Sequence, residues 1–379
     1  MGAVLLALGA VAVAIGLLPV SHVGILWDRV WPILLFVAAV TVVTELAAEA
    51  GVFTAVAQQT ARWGRGRALV LWLLVVVVAA LSTIFLSLDT TAVLLTPVVV
   101  VLARHAGLNP LPFALTTVWL ANTGSLLLPV SNLTNLLAQH AMGDPSPLQF
   151  AALTAVPALV AIVVPMVVVL VVARKYLFVR YETGDEDGIE DPVLFWWSAA
   201  VVVALIPLLV SGIAVWIPAC AAALVLISVF AVRRRTVLKF GLLPWQLIVL
   251  ASGLFLFIEA LHQVGLGALL AMVSGSGESP LALLRLSLTG MVGANAIDNL
   301  PAYIALEPVA GSPNRLVALL IGVNAGPLIT PWASLATLLW HQRLSALDVD
   351  IRWGRYMLLG AIVAPATVVL ATLAFALTR

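Results

Sequence analysis

Residues 110–141 constrain the whole chain, because they are hydrophobic and long enough to cross a bilayer yet are interrupted at their centre. The middle, ANTGSLLLPVSNLTN, carries Asn122, Thr123, Gly124, Ser125, Pro129, Ser131, Asn132, Thr134 and Asn135. Pro129 removes a backbone donor and Gly124 permits unwinding, and peptide groups freed at membrane depth must line a polar cavity or be buried in protein. A Pro-kinked packing helix whose polar groups bond to neighbours would carry the same residues. Taken alone, the stretch is a candidate broken helix and a candidate binding site.

A second copy favours the broken helix. Placing WLANTGSLLLPVSNLTNLLA over IGVNAGPLITPWASLATLLW at an offset of 202 aligns Asn122 with Asn324, Gly124 with Gly326, Pro129 with Pro331 and four leucines with leucines. Each copy is preceded by an apolar segment interrupted by an acid, LSTIFLSLDTTAVLLTP around Asp89 and MVGANAIDNLPAYIAL around Asp298. Further upstream Trp31, Glu45 and Gly51 recur at the same spacing as Trp245, Glu259 and Gly265. The order implies an internal duplication, with Gly124, Pro129, Gly326 and Pro331 as the helix-breaking residues.

With 63% hydrophobic residues, 9% charged and a mean hydropathy of +1.17, the chain is expected to be an all-α polytopic membrane protein. The net charge of +1 carries no signal for a nucleic-acid partner. Cys220 is the only cysteine, so neither an intrachain disulfide nor a multi-thiolate metal site can form, and no metal or cofactor is expected.

The positions of the charges set a topology. Residues 2–20 read as a first span and 31–50 as a second, followed by the basic loop ARWGRGR. Residues 68–104 have basic residues at both ends and too short an arm after Asp89 to cross, so they read as a re-entrant hairpin with Asp89 near its tip, with a full crossing by the longer first arm as the alternative. The broken helix at 110–141 and a span at 148–172 complete a first repeat over 1–173. A cytoplasmic linker over 174–192, with the acidic run GDEDGIED, precedes a second repeat over 193–379. That repeat opens with spans at 193–211 and 215–232 and the cluster RRRTVLK. It continues with a hairpin at 280–310, a broken helix at 316–341 and a last span at 356–377. Because Trp245 begins on the inner side and Trp31 on the outer, the repeats are inverted. Every Lys and Arg except Arg29, Arg285, Arg315 and Arg379 then lies inside.

Inverted repeats with discontinuous helices meeting at the midplane are the architecture of secondary transporters working by alternating access. An Asp at a helix centre costs about 2.5–3.5 kcal/mol on insertion scales, which makes Asp89 and Asp298 the leading functional residues and the candidate proton carriers. Structural carboxylates bonded to a neighbouring break are the competing account. Glu45, Glu49, Glu259 and Glu307, nearer helix ends, read as solvated at the interface.

The runs WQLIVLASGLFLF, IDNLP, GVNAGPLITPWASLATLLW and IRWGRY, with SNLTNLL in the first half, resemble the arsenite/antimonite efflux permeases of the ion transporter superfamily over nearly the whole chain. The resemblance implies export of trivalent arsenic or antimony hydroxide against inward proton flow, sometimes assisted by a separate soluble ATPase, in the cell membrane. It implies a substrate site at Asp89, Thr90, Asn122, Ser131, Asn132, Asn299 and Asn324, with proton coupling at Asp298 or Asp89; Thr123 and Asn295 join the site as polar neighbours at the same breaks. Many such permeases read Asn-Asp where this chain has Leu88 and Asp89, Asn-Asn at Asp298 and Asn299, and an acid at Asn324. The acid therefore stands elsewhere around the same cavity.

Two intramembrane acids would serve a sodium/proton antiporter equally well. A sodium-coupled dicarboxylate carrier of the same superfamily would carry Ser-Asn-Thr at both tips, where this chain has SLD and AID. An intramembrane aspartyl protease would need a GxGD motif, which is absent, and Lys175 and Lys239 follow Arg and Leu rather than the Gly of a P-loop. The chain is therefore read as a transporter and not an enzyme.

Overall fold

The computed structural model describes residues 2–182 and 188–379. Residues 185–187, in the acidic run of the linker, lie outside the described residues. The first half contains α1 (Gly2–Ala14), α2 (Val20–Glu49), α3 (Val52–Trp63), α4 (Ala68–Leu86), α5 (Leu88–Thr90), a π-helical turn at Thr91–Leu95, α6 (Thr96–His105), α7 (Leu111–Thr123), α8 (Leu133–Ala141) and α9 (Pro147–Leu177). The second contains α10 (Pro192–Val210), α11 (Trp216–Arg233), α12 (Trp245–Gln263), α13 (Leu266–Ser274), α14 (Pro280–Ile297), α15 (Asn299–Ala310), α16 (Pro313–Ala325), α17 (Leu335–Ser345) and α18 (Trp353–Thr378). Among the described residues nine helical runs are long and apolar enough to cross a membrane, α5 to α6 (Leu88–His105) counting as one, so the chain is a multi-pass protein of the cell membrane.

Two expected spans are corrected. α1 ends at Ala14, because Gly16 takes a φ of 78° and Pro19 sits just before α2. Thirteen residues rise only about 20 Å, short of a hydrocarbon core of roughly 30 Å. α1 instead packs against α12 through small residues: a Cβ on Gly253 would lie 2.6 Å from the Leu6 nitrogen, and one on Gly9 2.5 Å from Leu256 Cβ. The second span starts at Val20, not residue 31, which places Arg29 inside a helix of 30 residues.

α7 and α16 occupy the centre. Every residue from Leu316 to Ala325 is buried, as are Phe113, Ala114 and the run Val118–Thr123. The bundle ties into α7 by side-chain donors: the Trp72 indole gives its proton to Thr116 Oγ1 at 2.8 Å, Thr96 donates to Thr117 at 2.7 Å, and Trp340 donates to the Ala114 carbonyl at 2.9 Å.

The loops sort to two ends. At one, the Gly66 carbonyl accepts from Tyr181 N, Ala68 N donates to Val179 O, Arg104 reaches the Asp348 carbonyl, and Arg233 pairs with Asp191 at 2.9 Å. The Arg233 hydrogen bond holds the Asp191 carboxyl below its ordinary range. At the other end Arg315 donates to the carbonyls of Gly275 and Gly277, and Arg379 pairs with Glu278. Hydrogen bonds from Asn314 and Ser312 hold the Glu278 carboxyl low.

Candidate functional site

Two interruptions between consecutive helices share one backbone conformation. α4 ends at Ser87, with φ 126° and ψ 163°, and α14 ends at Asp298, with φ 93° and ψ 154°. This region is populated almost exclusively by glycine, and a side chain held there stores on the order of 1–3 kcal/mol of strain. Each residue caps the helix that follows. Ser87 Oγ accepts from Thr90 N at 3.3 Å, and Asp298 Oδ1 accepts from Leu300 N at 3.1 Å. The Asp298 carboxylate thus faces the positive end of α15. Asp89 lies two residues beyond the first interruption, half-buried, with no hydrogen-bond partner among the described residues.

The two helix breaks keep the offset of 202 end to end. α7 (Leu111–Thr123) and α16 (Pro313–Ala325) are in register, and the helices that follow are preceded by Asn132 (φ −153°, ψ 146°) and Ser334 (φ −151°, ψ 135°). Asn132 caps α8 through Thr134 N at 3.3 Å. Ser334 makes no cap bond, and its buried hydroxyl has no partner. The same spacing argument reaches Gly51 and Gly265, which precede α3 and α13 with φ of 82° and 100°, a conformation glycine adopts at little cost.

A buried amide network joins the breaks. Asn324 Oδ1 accepts from Thr134 Oγ1 at 2.8 Å and from Asn132 Nδ2 at 3.2 Å, while its Nδ2 donates to Asn135 Oδ1 at 2.7 Å. Asn135 in turn donates to the carbonyls of Ser125 and Leu128, satisfying peptide groups that the break exposes. Ser131 Oγ donates to the Ile84 carbonyl at 2.8 Å, tying this break to α4.

The expected site residues thus divide. Asn295 spends its side chain on the second break: Nδ2 donates to the Met291 and Gly326 carbonyls, and Oδ1 accepts from Ile329 N and Thr330 N. Asn132, Ser131 and Asn324 are hydrogen-bonded within the network, and Thr90 is held in the Ser87 turn at 3.2 Å. Asn299 is buried at the start of α15. Asn122 Oδ1 and Thr123 Oγ1 are buried with no partner; such orphaned groups call for a ligand, water or ion to satisfy them. Pro129 opens a 3-10 turn at Pro129–Ser131, and Pro331 lies in the non-helical segment before Leu335. Gly124 and Gly326 depart from the expected unwinding role, since both have ordinary right-handed helical angles. Gly326 is instead a packing glycine: a Cβ would lie 2.2 Å from the Gly322 carbonyl and 2.7 Å from Met291 Cγ, whereas one on Gly124 meets nothing nearer than Thr83 at 3.7 Å.

The sequence marks Ser87, Thr134 and Asn135 as polar residues of the interruptions without assigning them to the site, and Ser334 carries no signal of its own. Sequence reasoning misplaced Glu307. That carboxylate is 9% exposed and forms an ion pair with Arg29, which reaches it from α2 and also donates to the Leu137 carbonyl. Burial at the interface of α2, α8 and α15 gives the acid a protein partner in place of water.

A citrate-transporter family model matches residues 1–337. The chain is similar to an arsenical pump membrane protein of Escherichia coli, 30% identical over 389 residues that cover 94% of this chain and 88% of the relative. It is similar to a putative arsenical pump membrane protein of Bacillus subtilis, 25% identical with 86% and 83% covered. Among solved structures it resembles the Alcanivorax borkumensis YdaH transporter, described as having an unusual topology, with a TM-score of 0.61 at 15% identity over 99% of this chain and 95% of that one.

Proposed function

Because this chain belongs to the citrate-transporter family and, with its arsenical-pump relatives, to the arsenite efflux permeases, we propose that it exports arsenite or antimonite as neutral trihydroxides in exchange for protons. The observation that carries the choice is the chemistry of the breaks. Two carboxylates, the orphaned Asn122 and Thr123 groups and the Ser334 hydroxyl gather in segments that contain no Lys or Arg. A polyanion such as a di- or tricarboxylate would meet like charge there, whereas a neutral trihydroxide offers donors to the carboxylates and acceptors to the hydroxyls.

The halves 1–173 and 193–379 act as inverted repeats joined by the linker 174–192 and alternate access around this site. Asp89, with no protein partner, binds the substrate hydroxyls. Asp298 carries the proton. Charged, it accepts the Leu300 N–H at the start of α15; protonated, it gives up part of that acceptor capacity, so proton uptake loosens the tip of the second hairpin. Protonation from outside accompanies substrate release, and deprotonation inward restores binding, so proton entry drives export. A cavity of about 510 Å³ lined by Glu45, Glu49, Pro97, Asp191, Arg234 and Arg343 is the inner approach. ATP hydrolysis, where used, comes from a separate soluble ATPase.

Uptake of arsenite into inverted vesicles tests the reading. Acceleration by inside-acid pH is expected; sodium-dependent pH changes without arsenite movement would replace it with sodium/proton antiport.

A further inference from the structure

A second cavity, of about 480 Å³, opens where the start of α7, the end of α9 and the start of α18 meet. Its walls are Leu111, Leu115, Val172, Ile351, Tyr356 and Leu359. The size falls within the roughly 300–1,000 Å³ of ligand pockets. The apolar wall runs on into aliphatic side chains exposed on the outside of the bundle, Val171, Val172, Leu358 and Ile362.

The rim is of opposite character. Arg352 and Arg355 are exposed and form no ion pair among the described residues; Asp350 is the one acidic residue in the cavity lining. Arg174 and Lys175 project from the adjoining end of α9, and the Lys175 ammonium lies over the Tyr176 ring at 4.7 Å. α18 begins at the same rim with no side-chain cap on its first turn, and Gly354 leaves the approach to those N–H groups open. Unpaired guanidiniums and uncapped helix N–H groups form an anion cradle, and here it is mounted at the water-facing end of an apolar slot.

We propose that this cavity is a binding site for an anionic phospholipid, with the phosphate between Arg352, Arg355 and the α18 N-terminus and an acyl chain in the slot. Basic pockets between helices at a membrane surface take such headgroups. Neither half of the cavity suffices alone: a free phosphate leaves the slot unfilled, and a zwitterionic lipid leaves the surplus positive charge uncompensated. Because α7 runs from this slot to the first break, occupancy braces the entry arm of the broken helix against α9 and α18.

The test is thermal unfolding of the full chain in detergent, titrated with phosphatidylglycerol, with phosphatidylcholine of identical chains, or with inorganic phosphate. Phosphatidylglycerol is expected to raise the midpoint at least tenfold more potently than phosphatidylcholine. Arg352→Ala/Arg355→Ala should abolish that preference, Arg352→Lys/Arg355→Lys should retain part of it, and Arg235→Ala, at a distant basic loop, should leave it intact. Native mass spectrometry of the same samples reads retained lipid directly, so a double variant of altered stability still reports. Equal potency of the two lipids, full stabilisation by phosphate alone, or retention of phosphatidylglycerol by the double alanine variant would overturn the proposal.

Discussion

The Asn324 side chain donates to Asn135 Oδ1 across 2.7 Å, joining residues 189 positions apart in the sequence at the meeting point of two broken helices. Both are fully buried, and Asn324 also accepts from Thr134 and Asn132, so the amide is the knot between the halves. Asn324→Leu removes one partner and strands three others. A loss of about 1–3 kcal/mol per unpaired buried group is expected, with transport abolished. An unfolding midpoint in detergent equal to that of the parent would refute the assignment.

Arg29 and Glu307 form the ion pair that fixes α2 to α15. Glu307→Gln leaves the cation without its counter-charge in a largely buried place, and removal of one partner of such a pair costs about 3–5 kcal/mol. Arg29→Met combined with Glu307→Leu should recover most of this loss, which a double-mutant cycle on thermal unfolding would read. Additive losses would mean that the residues do not act as a pair.

The two break glycines should separate under the smallest substitution. Gly124→Ala meets only Thr83 at van der Waals distance and is expected to retain transport, whereas Gly326→Ala drives a methyl into the Gly322 carbonyl and Met291 and should lose most of it. Resistance assays with membrane-fraction blots distinguish loss of activity from loss of protein. Equal tolerance at both positions would contradict the close packing at Gly326.

Asp298→Asn keeps shape and part of the capping while removing the titratable proton. Gradient-driven accumulation in vesicles should disappear while arsenite exchange persists. Asp89→Asn should instead weaken binding and leave the residual transport pH-dependent. Accumulation by Asp298→Asn vesicles in proportion to the imposed pH difference would transfer the coupling role to Asp89.

Sidedness follows from impermeant thiol labelling. A cysteine at Arg65, exposed in the basic loop, should react only from inside, and one at Ser276 from outside. Gly64 is unsuitable, because its Cβ would strike the Tyr181 hydroxyl. Both sites labelling from one face would end the inverted-repeat proposal.

The sequence made the local interruptions visible and their partners invisible. Pro129, Pro331 and the recurring Asn-x-Gly announced where α7 and α16 stop, and the structure keeps the offset of 202 at the helix starts after Asn132 and Ser334. Gly51 and Gly265 were legible for the same reason: a backbone need leaves a residue-type signature. Ser87 was not, because serine carries no mark of a glycine-like φ. The Arg29–Glu307 pair spans 278 positions, and no local pattern ties a cation in one helix to an acid in another. α1 read as a span because hydropathy counts apolar residues regardless of whether Gly16 turns the chain among them.

Ser87 and Asp298 hold backbone angles that glycine would adopt without strain, yet each keeps a side chain. A search for stabilised variants should therefore return Ser87→Gly and Asp298→Gly among its first thermostable clones, and find them poor at conferring resistance. At these two positions selection for durability and selection for transport pull in opposite directions, so laboratory evolution under heat alone would erase the site before it disturbed the bundle around it.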